Sequence, residues 1–266
     1  MRLTANDTIK FGILTGVLAM FFDAAVSHGL FWQNDPFWSY WIADGLLITT
    51  IVSAGTAIIG IGIWQGFVLM GFQTLALEIY YQFLSPVGLP REPYWLSRFE
   101  IWTSGIPVHY LTYTAGFLLA LWIWRRGHRL KKIMQNIEPK RIAFTTLIAA
   151  PFVLILDGII TQGIFLGYFT GITFLVHRFI IAFVFIYLWS SYVGFDGKGL
   201  ISGALILSLL WSTFNMYLGA VGLPKDFPFF LSYDVLWAKV FPGALISTLL
   251  GLLIARMLMP EGVKQA

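Results

Sequence analysis

Asp23, Glu78, His109 and Asp157 all stand inside runs of apolar residues. An ionisable side chain is costly in such a run, so each is a candidate for function. Buried carboxylates and imidazoles near neutral pH are suited to proton transfer, as general acid or general base. Asp23 has Ser27 four residues on, and Asp157 has Thr161. Four residues is about one helical turn, so each acid shares a face with its hydroxyl. The same spacing also serves a purely structural end, in which a carboxylate holds a neighbouring helix by hydrogen bonds. His28 and His109 are expected to converge with Asp23 and Glu78 within the first half of the chain. A mixed set of histidine and carboxylate suits zinc, iron or copper, which makes His28 and His109 the candidate metal ligands. No pair among them has the spacing of a known metal motif.

These residues must be positioned by an element that occurs twice. Val-Gly-Leu-Pro stands at 87–90 and again at 221–224, an offset of 134 residues. The same offset sets Asp23 on Asp157, Gly29 on Gly163, Phe31 on Phe165 and Gly60 on Gly194. One inserted residue after the shared motif then sets Trp102 on Trp237, Pro107 on Pro242 and Gly116 on Gly251. The chain reads as a tandem duplication of one hydrophobic unit. The expected domains are a first repeat over 1–124, a basic cytoplasmic linker over 125–141 and a second repeat over 142–266. Asp44 and Arg178 fall on equivalent positions with opposite charge, so an ion pair between the repeats is expected. The histidines break the pattern: His28 matches Gln162, His109 matches Ala244, and His177 matches Ala43. Glu78 matches Ser212. Features held by one repeat are the better candidates for a specialised role.

Composition places the units in a bilayer. Apolar residues make up 58% of the chain and charged residues 11%, against about 45–50% and about 25% in soluble proteins. Several apolar runs reach the roughly 20 residues that a spanning helix needs, and none alternates as the strands of a membrane barrel do. Four spans are expected in each repeat, near 11–31, 39–63, 66–85 and 100–124, then near 143–166, 171–193, 199–219 and 235–258. The fold class is therefore an all-α integral membrane protein with eight transmembrane helices. An even number of spans per repeat gives the two repeats the same orientation, related by an axis along the membrane normal.

Seven of the 17 Lys and Arg residues lie between Arg125 and Arg141. A basic segment beside membrane spans is explained by orientation and by anionic headgroups, not by nucleic acid. With the N-terminus inside, inner segments hold 12 basic residues, and outer loops hold only Arg91, Arg98 and Lys225. Both termini are thus expected in the cytoplasm, with the chain in the cell membrane. Most of the buried polar residues then fall in the outer half of the bilayer, above an apolar inner half. The absence of cysteine excludes disulfides and thiolate chemistry. Asp234 and Lys239, five residues apart, are expected to reach the headgroup region.

The doubled four-helix outline is similar to that of the haem A synthases, which carry paired histidines in both halves and a Glu-x-x-His-Arg motif. Here the His-Arg pairs are His128-Arg129 and His177-Arg178, and neither has a glutamate three residues earlier. The resemblance ends at the outline. The function expected from the residues is a membrane-embedded enzyme using Asp23, Glu78, His109 and Asp157 on an apolar or lipid-like substrate. A cofactor- or metal-binding accessory subunit of a membrane complex and a small-solute transporter are the alternatives. Membrane lipids are the expected surroundings, and the identity of any cofactor is left open.

Overall fold

The computed structural model describes residues 4–32, 38–79, 98–134, 139–167, 172–220 and 233–264. Both Val-Gly-Leu-Pro segments lie outside these residues. All regular structure among the described residues is helical. The chain divides into two compact units, Met1–Trp122 with Ala220–Gly222, and Ile123–Gly219 with Leu223–Ala266.

Helix α1 (Ala5–Phe22) continues as a π-helical stretch, π1 (Asp23–Trp32). Next come α2 (Trp38–Ile59), α3 (Ile63–Ile79) and a short α4 (Arg98–Glu100). A π turn, π2 (Ile101–Gly105), leads into the long α5 (Ile106–Met134). The second half passes through the same order: α6 (Pro139–Asp157), π3 (Gly158–Leu166), α7 (Ile172–Tyr192), α8 (Gly197–Ala220), α9 (Tyr233–Val235), π4 (Leu236–Val240) and α10 (Phe241–Leu258). A last turn, α11 (Glu261–Lys264), follows. The basic segment lies on the end of α5 and the start of α6.

The wide turns have an identifiable cause in two cases. Pro107 stands just after π2 and Pro242 just after π4. Proline lacks an N–H and its ring crowds the carbonyl four residues back, so the turn ahead of it opens. Neither π1 nor π3 contains a proline. There the wide turn begins at Asp23 in one unit and directly after Asp157 in the other.

Among the described residues five helices are long and apolar enough to cross a membrane: Ala5–Trp32, Ile42–Ile59, Trp102–His128, Pro139–Leu166 and Leu236–Leu258. Three further apolar helices are shorter, Ile63–Ile79, Arg178–Tyr192 and Gly197–Ser212. Burial runs opposite to that of a soluble protein. Val17 is 63%, Leu46 62% and Val68 65% exposed, whereas Thr15, Gln73 and Thr146 are fully buried. Polar side chains turned inward and apolar ones turned outward fit a hydrocarbon surround.

Matching positions do matching work. Gly60 and Gly194 end their helices with φ of 79° and 80°, a left-handed conformation that favours glycine. At Gly116 on α5, a Cβ would stand 2.4 Å from the Ala19 backbone of α1. At Gly251 on α10, a Cβ would stand 2.8 Å from the Val153 backbone of α6. Each glycine lets its helix approach the first helix of its own unit, and this sets the depth at which side chains meet.

Candidate functional site

In unit 1 the crossing of α5 over π1 brings Thr112 to Asp23. The Thr112 hydroxyl is 3.5 Å from Asp23 Oδ1 and 3.0 Å from the His109 carbonyl, to which it donates. Ser27 stands 3.4 Å from the same hydroxyl. In unit 2 the crossing of α10 repeats this arrangement. Ser247 is 3.5 Å from Asp157 Oδ1, donates to the Ala244 carbonyl at 3.0 Å, and stands 3.4 Å from Thr161. Both carboxylates, both hydroxyls and all of these partners are buried.

The π turn explains what lies on the other carboxylate oxygen. Residues five apart point to different sides of an α-helix, but a π turn, closed by i→i+5 bonds, stacks them on one side. His28 Nε2 thereby comes to 3.6 Å from Asp23 Oδ2. Gln162 Nε2 lies 3.5 Å from Asp157 Oδ2.

Beyond this shared frame the units part. The counter-charge to Asp157 is Arg178 of α7, whose Nη1 donates to Asp157 Oδ2 and whose guanidinium lies 4.8 Å from the Trp211 ring. Arginine keeps its charge at any working pH, so this carboxylate has a fixed partner. Asp23 faces imidazoles instead. His109 Nε2 is 3.6 Å from Asp23 Oδ1, and its Nδ1 bonds Glu78 Oε1 of α3 at 2.9 Å. Asp44 of α2 lies close enough to add its field at His109. The result is a buried series, His28, Asp23, His109 and Glu78, in which imidazole and carboxylate alternate. Trp32 caps it, with its ring 5.2 Å from His28 and 5.0 Å from His109, and Tyr113 stacks on His109 at 5.4 Å.

Proton transfer is the chemistry this series can do. Glu78 fixes the orientation of the imidazole and binds one nitrogen, which directs the other nitrogen to Asp23. The 3.6 Å between Nε2 and Oδ1 is longer than a direct hydrogen bond. A small movement, or a group placed between them, is needed for a proton to pass. Among the described residues no three His, Cys, Asp or Glu side chains stand together in a way that could hold a metal ion. His28 and His109, the candidate ligands from the sequence, each turn a nitrogen toward Asp23.

Of the expected site residues, Asp23, His28, Glu78 and His109 converge, with Asp44 nearby. Asp157 and Arg178 meet each other in unit 2. The ion pair expected between Asp44 and Arg178 would join the two units and stands as a proposal; within its own unit Arg178 is already paired with Asp157. Glu100, Asp234 and Lys239 are exposed, and the side chain of His177 lies outside the described residues. Sequence reasoning missed Thr112 and Ser247, although both are hydroxyl residues at matched positions. It also gave Trp32 no part in the site.

No family model, no curated protein and no solved structure matches this chain.

Proposed function

We propose that this chain is a multi-pass membrane protein whose first unit carries an acid/base site, and that it acts as an enzyme on an apolar or lipid-like molecule. His109, oriented by Glu78, is the proton-exchanging group. Asp23 is its partner on the far nitrogen, and His28 completes the series. Asp157, held by Arg178, is assigned a structural role. The observation that carries the reading is the 2.9 Å bond between Glu78 and His109. Its matched positions in the other unit are Ser212 and Ala244, so packing the shared frame does not require it. A costly buried pair present in one copy is best accounted for by what it does.

The reading includes an eight-helix tandem duplication with both termini cytoplasmic, so that the site lies in the outer half of the bilayer. It is supported by the repeated order of elements, by the matched bonds around Asp23 and Asp157, and by the distribution of basic residues.

The test compares apolar molecules extracted from membranes of cells expressing the wild-type chain, Glu78→Gln or His109→Ala. Mass spectrometry is expected to find a species gained or lost with the wild type only, when all three proteins insert at equal levels. Variants that alter the extract as the wild type does would overturn the assignment.

Proton-coupled transport is the second reading. It is favoured by the near-complete burial of all four groups in the series, which suits an occluded proton site. Proton or solute flux into protein-loaded liposomes that Asp23→Asn abolishes would place transport first.

A further inference from the structure

We infer that Gln73 and Thr114 bind internal water on the Gly66 side of the acid/base series and that this water supplies the series with protons. The second clause rests on the acid/base reading above. The water site itself does not.

Gln73 lies on α3, five residues before Glu78, or about 7.5 Å along the axis. It is fully buried, and neither its amide oxygen nor its amide nitrogen meets a hydrogen-bond partner among the described residues. Thr114 on α5 is 6% exposed, and its hydroxyl likewise meets none. Helices α3 and α5 are antiparallel here, with contacts at Gly66 against Phe117, Gly71 against Tyr110 and Glu78 against His109. That register sets Gln73 level with residues from Val108 to Thr114.

The second copy gives the control. The positions matching Gln73 and Thr114 are Leu207 and Leu249, and Leu207 is fully buried. The frame therefore accepts leucine on both helices. A buried polar group without a partner costs stability. Two of them, on neighbouring helices of the unit that holds Glu78 and His109 and at positions where the other unit has leucine, indicate a third party that both donates and accepts. Water suits an amide and a hydroxyl together, since a buried water typically makes two to four such bonds. Such water would lie between the series and the apolar stretch around Phe117.

Radiolytic hydroxyl footprinting of the full chain in lipid nanodiscs tests this, because radicals formed from bound water oxidise side chains beside it. Met70, three residues before Gln73 and fully buried, is the reporter, and Phe195, equally buried and in the second unit, is the control. In the wild type Met70 is expected to be oxidised while Phe195 is not. Gln73→Leu is expected to keep its fold, as Leu207 does, and to cut Met70 labelling on the order of tenfold. Gln73→Met serves in the same way if the leucine variant does not fold. An unlabelled Met70 in the wild type, or equal labelling in the variants, would overturn the site. Labelling as expected, with a His109 that does not respond to pH, would keep the water site and remove only its role as proton supply.

Discussion

Arg178 closes on Asp157 with a charge that does not titrate, while Asp23, in the matching place, is met by two imidazoles. The hydroxyl frame around the two carboxylates is the same, with 3.5 Å to the carboxylate oxygen and 3.0 Å to the backbone carbonyl in each. In unit 2 the carboxylate thus faces a guanidinium, and in unit 1 it faces imidazoles.

The pair in unit 2 predicts unequal costs. Arg178→Met leaves Asp157 as a buried lone charge and should cost about 3–5 kcal/mol. Asp157→Asn with Arg178→Met should recover most of that loss, because no charge is left unpaired. Thermal unfolding in detergent gives both values. Simple addition of the two single effects would show that the residues do not act as a pair.

The helix crossing predicts that Gly116→Ala lowers stability by about 1–3 kcal/mol, the usual range for overpacking. The new Cβ meets the Ala19 backbone at 2.4 Å, which no side-chain rotation relieves. Gly251→Ala should cost less, since the Val153 backbone is 2.8 Å away. Melting temperatures in the reverse order would contradict this account of the crossings.

Asp196, between α7 and α8, predicts a pH dependence. Burial works to raise its affinity for a proton, but the Arg126 side chain at 2.6 Å and the Gly199 N–H at 2.7 Å outweigh it and hold the carboxyl below its ordinary value. Its contribution to stability is therefore complete above the unfolded value of about 3.9 and is lost as pH falls through the lower folded value. Asp196→Asn should destabilise at neutral pH and converge with the wild type in acid. A constant gap between the two melting curves across that range would count against the pairing.

Orientation is open to a direct test because the chain has no cysteine. A single cysteine at His128→Cys should react with an impermeant maleimide only after the membrane is opened. One at Glu92→Cys should react in intact cells. The opposite pattern would invert the proposed topology and move the acid/base site to the cytoplasmic half.

Asp23 with Ser27 and Asp157 with Thr161 could be read from the sequence because the same spacing recurs at the 134-residue offset. Glu78 and His109 stood out for the converse reason, as residues with no like residue at the aligned positions. The partner of Arg178 was not legible in that way. Asp44 is its match by alignment, but Asp157 is its neighbour in space, and that depends on the depth and rotation of α7 against α6. The stacking of His28 on Asp23 was hidden as well, since a five-residue spacing means nothing until the helix widens into a π turn. Gln73 is one amide in an apolar run, and only its match to Leu207 distinguishes it.

The most direct measurement is nitrogen-15 NMR of the histidine rings across a pH series, in the wild type and in Glu78→Gln, with the protein in lipid. The chain has four histidines, so single substitutions assign each signal. His109 faces Glu78 of α3 and Asp23 of π1, with Asp44 of α2 adding its field, and His28 lies on the other oxygen of Asp23. The His109 ring should change protonation with pH, and Glu78→Gln should shift that change while Asp157→Asn leaves it in place. A His109 signal that stays constant with pH, or that ignores Glu78→Gln, would contradict the account.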